Sequence, residues 1–168
     1  MNTICTIATV ILLAFACSCD TQDKQELPVT KGNNNKVTLQ SPEGLHKNPA
    51  FSQVATVEGS YKTVYVGGQD AVDTAGNIVG KGDIEAQAKQ VLANLELALQ
   101  AGGASVGHII KWNVYVKQGQ PLEAAYKVFQ GAMSKMEKPP LITMAFVAGL
   151  GNPGYLLEMD AIAVVPVK

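Results

Sequence analysis

The 168-residue chain has no arginine: all 13 of its basic residues are lysines. Chemistry that needs a planar cation gripping a carboxylate or phosphate through two parallel bonds is thereby excluded. Cysteine is scarce and confined. Cys5, Cys17 and Cys19 all lie within the first 19 residues, so a disulfide framework and a thiolate metal site are excluded from the rest. Net charge is close to zero, −1, from 13 lysines against 14 Asp and Glu. That argues against a phosphate-binding surface and against nucleic acid as a partner. The two histidines, His46 and His108, stand far apart and form no metal-ligand pattern. His108 opens a strand and reads as structural. No Gly-x-Gly-x-x-Gly precedes a helix, and neither a Walker loop nor a Gly-x-Ser-x-Gly elbow occurs. Met133, Met136, Met144 and Met159 fall on core stripes and read as packing. No metal and no cofactor are expected.

What is present suits one folded domain: 47 % hydrophobic and 16 % charged residues favour a packed core over a disordered chain. Ile4 to Ala16 is a mostly apolar run, too short to span a bilayer and of the length of a signal peptide's apolar region. The run Ala14-Phe15-Ala16-Cys17-Ser18-Cys19 resembles a bacterial lipobox. The lipid acceptor is Cys19, after which a polar tract starts directly, or Cys17. Residues 1–19 thus read as a leader. Residues 20–36, polar and ending in an Asn run, read as a flexible tether. Residues 37–168 read as the domain, exported and anchored at the cell envelope.

Within the domain, Val37-Thr38-Leu39-Gln40 is a short strand. Val54–Val57 and Thr63–Val66 are two β-rich runs that the Glu58-Gly59-Ser60 turn would join as a hairpin. Asp83 is a good N-cap for a helix over Ile84–Ala101, whose apolar residues recur at helical spacing. Ile109–Val116 alternates: Ile110, Trp112, Val114 and Val116 face one way. Pro121 suits the first position of a second helix, with a stripe from Leu122 to Met136 and a stop at Lys138-Pro139-Pro140. Leu141–Ala148 and Leu156–Val165 are final strands. The order β-β-β-α-β-α-β-β predicts an α+β fold, one sheet with both helices on one face. The other face would then be apolar and seek a partner.

The candidate chemistry is acidic. Glu158 and Asp160 alternate with Met159 and Ala161 and so share one side of the last strand, which Ile162 and Val164 continue. Such carboxylates are either rim residues in solvent or line a partly buried pocket that raises a carboxyl pKa toward neutrality.

Several segments together resemble the RidA (reactive intermediate deaminase A, YjgF-like) family. They are Phe51-Ser52-Gln53, Val64 to Gln69, Gly76 to Leu95, Ala101 to Ser105, Lys111 to Val116, Pro140 to Leu150 and Glu158 to Ala163. The resemblance implies a chorismate-mutase-like α+β fold with a mixed sheet, two helices on one face and a homotrimeric barrel with clefts between subunits. It also implies hydrolysis of reactive enamines and imines to carbonyl compounds and ammonia. In the family an arginine clasps the substrate carboxylate and a glutamate of the last strand positions water.

Carried over by position, that glutamate is Glu158. The arginine falls on Ile142, and the small polar or Cys position two residues on falls on Met144. The tyrosine falls on Phe51, the Ser-Gly before Gln on Gly67-Gly68, and a helix asparagine near Glu123. Thr143 keeps a hydroxyl beside the vacated position. The resemblance therefore implies a degenerate site with weak or no action on 2-imino acids. Arginine to Ile and asparagine to Glu would make each cleft more negative, favouring a neutral or cationic apolar ligand. Two readings stay open: a divergent imine hydrolase with Glu158 as general base, or a non-catalytic, envelope-anchored trimeric ligand-binding or interaction module.

Overall fold

The computed structural model describes residues 34–167; the leader, the lipobox cysteines and most of the tether lie outside the described residues. Helix α1 spans Ile84–Ala101, the range its periodicity predicts. Asp83 is extended, and its carboxylate accepts from the N–H groups of Glu85 and Ala86, satisfying donors the first turn leaves open. Its buried stripe, Ile84, Ala88, Val91, Leu95 and Leu99, also contains a fully buried glutamine, Gln87. Gln87 Nε2 donates to the carbonyls of Gly80 (3.2 Å) and Gly154 (2.9 Å), and its Oε1 accepts from Leu156 N–H (2.8 Å). One side chain thus ties the loop before α1 to the entry of the last strand.

Four strands form a mixed sheet: β3 (Tyr61–Gln69), β6 (Leu157–Pro166), β4 (Ile109–Lys117) and β5 (Leu141–Val147), in the order β3-β6-β4-β5. β6 pairs antiparallel with β3 and β4, and β4 pairs parallel with β5. A parallel neighbour requires a crossover, and helix α2 (Leu122–Met133) supplies it. Pro121 is extended and is the N-cap of α2, not its first helical residue. The helix ends at Met133, earlier than the Lys138-Pro139-Pro140 stop, because Ser134 Oγ–H donates back to the Gly131 carbonyl (2.8 Å) and the chain turns. Met136 still packs against the core from that turn.

The two β-rich runs before α1 do not pair as a hairpin. β2 (Val54–Glu58) pairs antiparallel with β1 (Lys36–Gln40) in a separate ribbon, while β3 pairs with β6. The turn between β2 and β3 is held from outside. Asn35 Oδ1 accepts the Ser60 N–H at 2.7 Å, and Gly59 takes φ +95 against the Asn35 backbone, which directs β2 along β1.

One sheet face packs under both helices: Val66, Trp112, Val114, Val116, Leu157, Met159, Ala161 and Ala163 meet α1 and the Ala125–Phe129 side of α2 in one core. A bulge between Ile109 and Lys111 makes Ile109, not Ile110, the core residue at that end. The opposite face is mixed rather than apolar. Thr63, Tyr65, Asn113, Tyr115, Glu158 and Asp160 alternate onto it beside Ile162 and Val164. Asn113 Nδ2 donates to Asp160 Oδ1 across it at 2.7 Å.

Gln87→Leu would leave the Gly154 carbonyl and the Leu156 N–H without their partner, each costing roughly 1–3 kcal/mol, whereas the Gly80 carbonyl keeps the Asp83 N–H. Urea unfolding should show it to be several-fold more destabilising than Asp83→Ala, the loss of a cap worth about 1 kcal/mol. Equal losses would show that the glutamine is not a tie.

Candidate functional site

The β4–α2–β5 crossover leaves a cavity of about 430 Å3 between α2 and the sheet edge. The parallel register sets Ile142 beside Trp112 and Met144 beside Val114, so all four face the helix side. Phe51, Tyr126 and Phe129 join Trp112 to make four aromatic walls, and Met133 completes the apolar lining. Phe51 is held at the mouth because the next residue is pinned. Ser52 N–H donates to the Pro140 carbonyl (3.0 Å) and Ser52 Oγ–H to the Pro139 carbonyl (2.8 Å). Asn48, also on the wall, accepts the Ala50 N–H through Oδ1 at 2.8 Å.

Among the described residues, no charged side chain lines this cavity. Lys138, the lysine nearest Ile142 in sequence, is exposed and borders a different recess of about 370 Å3 with Tyr61, His108 and Glu137. His108 itself closes a short 3-10 turn, Val106–His108: its Nδ1 accepts the Ser105 N–H at 3.1 Å and lies 2.8 Å from Ser105 Oγ.

A second grouping lies on the other face at the other edge. β3 advances from Val66 to Gln69 while β6 moves only from Ala161 to Met159, so Gly67-Gly68 forms a bulge with one extra residue. The bulge matters sterically, since a Cβ on Gly68 would collide with Glu158 Oε1. Continuing the register by one residue sets Asp70 opposite Glu158. Burial, and secondarily the Glu158 charge, raise the Asp70 carboxyl from 3.8 to about 6. Its Oδ1 is buried without a partner. Asn94 Nδ2 fixes this stretch by donating to the carbonyls of Asp70 (2.8 Å) and Val72 (2.9 Å). Sequence reasoning passed over Asp70; the signal was an acid placed between Gly67-Gly68-Gln69 and the apolar pair Ala71-Val72.

The residues singled out from sequence therefore fall into separate places. Phe51, Ile142 and Met144 share the apolar cavity. Glu123 borders an adjoining recess with Tyr126, Phe129 and Met144, but its side chain is exposed and ion-paired with Lys127 at 3.1 Å. The negative charge expected from it is thus largely offset. Gly67, Gly68 and Glu158 lie with Asp70. Thr143 lies on the face opposite to Ile142, beside Asn113. Within one chain, β4 and the thickness of the sheet separate Ile142 from Glu158.

Comparison with known proteins places this geometry. Residues 44–165 match the family model described as Endoribonuclease L-PSP. A RutC family protein of Synechocystis is 33 % identical over 104 residues, 61 % of this chain and 78 % of that protein. The 2-iminobutanoate/2-iminopropanoate deaminase of Rattus norvegicus is 31 % identical over 119 residues, 68 % of this chain and 80 % of that protein. The crystal structure of the Rid family protein YyfB from Yersinia pestis superposes with a TM-score of 0.68 at 29 % identity, covering 77 % of this chain and 98 % of that one.

Asp70 gives a pH prediction. Its folded pKa lies above its unfolded value, so the stability it contributes is fully present below about pH 4 and is lost as pH rises through about 6. Asp70→Asn should leave stability unchanged in acid and raise it at neutral pH in denaturant titrations. In carboxyl NMR titrations, Glu158→Gln should lower the Asp70 pKa only in part, because burial is the larger cause. A complete return to the ordinary value would refute that ranking.

Proposed function

The chain belongs to the RidA family, whose model is described as Endoribonuclease L-PSP, and from that premise we propose that it binds a small, largely apolar, neutral or cationic molecule instead of a 2-imino acid. The observation that carries this reading is the cavity wall. Ile142 stands where the family resemblance puts an arginine; the chain has no arginine, and among the described residues no lysine lines the space around it. Charge-assisted hydrogen bonds contribute roughly 1.5–3 kcal/mol each. Without them a substrate carboxylate loses its hydration and finds no cation to compensate.

The two half-sites suggest how the cleft is completed. Phe51, Ile142 and Met144 of one copy would face Gly67, Gly68 and Glu158 of a neighbour in a homotrimeric barrel, bringing together what one chain keeps apart. Export and a lipid anchor on Cys19 or Cys17 would place this trimer at the cell envelope, with residues 20–36 as tether. An RNA substrate is disfavoured by the absence of arginine and the net charge of −1.

One observation favours a second, hydrolytic reading. Asp70 and Glu158 are two carboxyls whose environments differ, and Asp70 titrates at about 6. Such a pair can divide the roles of general acid and base on an uncharged imine, with Glu158 as the base.

Ammonia release from 2-aminoacrylate tests the main reading: the purified protein should accelerate it little or not at all over buffer. In thermal-shift screens, apolar neutral compounds and amines should raise Tm while matched carboxylates do not. Rapid ammonia release, or preferential stabilisation by ketoacids, would sink the proposal. Native mass should be three times the chain mass, and a monomer would remove the shared cleft.

A further inference from the structure

The apolar cavity carries one more piece of information, in its unused hydrogen-bonding groups. Trp112, the single tryptophan of the chain, lines the cavity, is 1 % exposed, and its Nε1–H has no acceptor among the described residues. A buried donor without a partner is rare and costly in a folded protein. Asn48, on the same wall, already accepts the Ala50 N–H at Oδ1, and its NH2 group is free to donate. The polar group of the lining that is left unpaired and can act in one way only is the indole N–H. Trp112 can only donate, Asn48 retains donors, and the Tyr126 hydroxyl can serve either way. An ammonium ion would find no counter-charge among these groups and would leave the indole N–H without an acceptor. A carboxylate would find no cation. An uncharged carbonyl, ester or amide oxygen meets the need without bringing a charge into an apolar space.

We propose that this cavity selects a small, uncharged, apolar carbonyl compound, whose oxygen accepts the Trp112 Nε1–H while its hydrocarbon part fills the space between Phe51, Phe129, Ile142 and Met144. The Nε1 atom is itself buried, so binding requires the wall to give, and Met133 and Met144 are its adaptable part. At about 430 Å3 the cavity suits a ligand of one ring with a short substituent. The inference rests on the reading above, that the cavity is a ligand site without an anion clamp, and narrows the ligand from neutral or cationic to neutral and accepting.

Three probes of nearly one shape separate the two ideas in the full-length chain: acetophenone, α-methylstyrene (the carbonyl oxygen replaced by CH2) and benzoate. Calorimetry should find acetophenone bound about tenfold more tightly than α-methylstyrene, the worth of one recovered hydrogen bond, and benzoate weakest. The single indole N–H proton resonance should move downfield with acetophenone and much less with α-methylstyrene. Trp112→Phe keeps the ring and removes the donor, so it should bind the two neutral probes alike, near the α-methylstyrene affinity. If that variant does not fold, the wild-type indole resonance decides. Equal binding of the two neutral probes with an unmoved indole resonance would overturn the acceptor rule yet leave the apolar, clamp-free site standing. Tightest binding by benzoate, or no binding by any probe, would overturn both.

Discussion

Strand β6 is hydrogen-bonded on both sides, to β3 and to β4, and its strict alternation organises everything around it. Leu157, Met159, Ala161 and Ala163 lie under the helices and are almost fully buried. A shift of one residue would drive Glu158 and Asp160 into that core, at a cost no pairing there could offset. The register is therefore fixed by where the carboxylates cannot go. The same pleat, transmitted through β4 to β5, turns Ile142 and Met144 toward α2 and Thr143 away from it. Which residues share a cavity is thus decided by parity along the strands.

Two local devices then adjust that parity. The Gly67-Gly68 bulge adds a residue to β3 and brings Asp70 level with Glu158, which places two like charges where a regular ladder would separate them. Glycine at 68 is required because the Glu158 side chain lies over it. The bulge between Ile109 and Lys111 does the same for β4, exchanging Ile110 for Ile109 in the core. On the other side, Ser52 anchors the 48–51 loop to Pro139 and Pro140, which is what makes Phe51 and Asn48 walls of the cavity instead of parts of a free loop.

The apolar cavity and the carboxyl pair are chemically opposite. One is lined by aromatic and thioether groups with spare donors; the other holds an acid whose proton is retained to about pH 6. Neither needs the guanidinium that the chain lacks.

Periodicity alone made both helices, the order of all eight elements and the inward stripe of α1 legible, because burial of one face imposes a 3.6- or 2-residue repeat that reads directly from the letters. The absence of arginine was equally plain. The letters did not show that β2 would leave β3 for β1, since a single bond from Asn35 to Ser60 redirects that turn. They did not show that Asp70 would stand against Glu158, because an extra residue in one strand changes what lies opposite in the other. Nor did they show that Gln87 would be a buried tie to Gly154 and Leu156, far along the chain, or that Trp112 would be a donor without a partner among the described residues. Composition and spacing determined the elements and the chemistry available to them. Strand pairing alone decided which of those groups meet, because proximity across a sheet is set by register and not by distance along the chain.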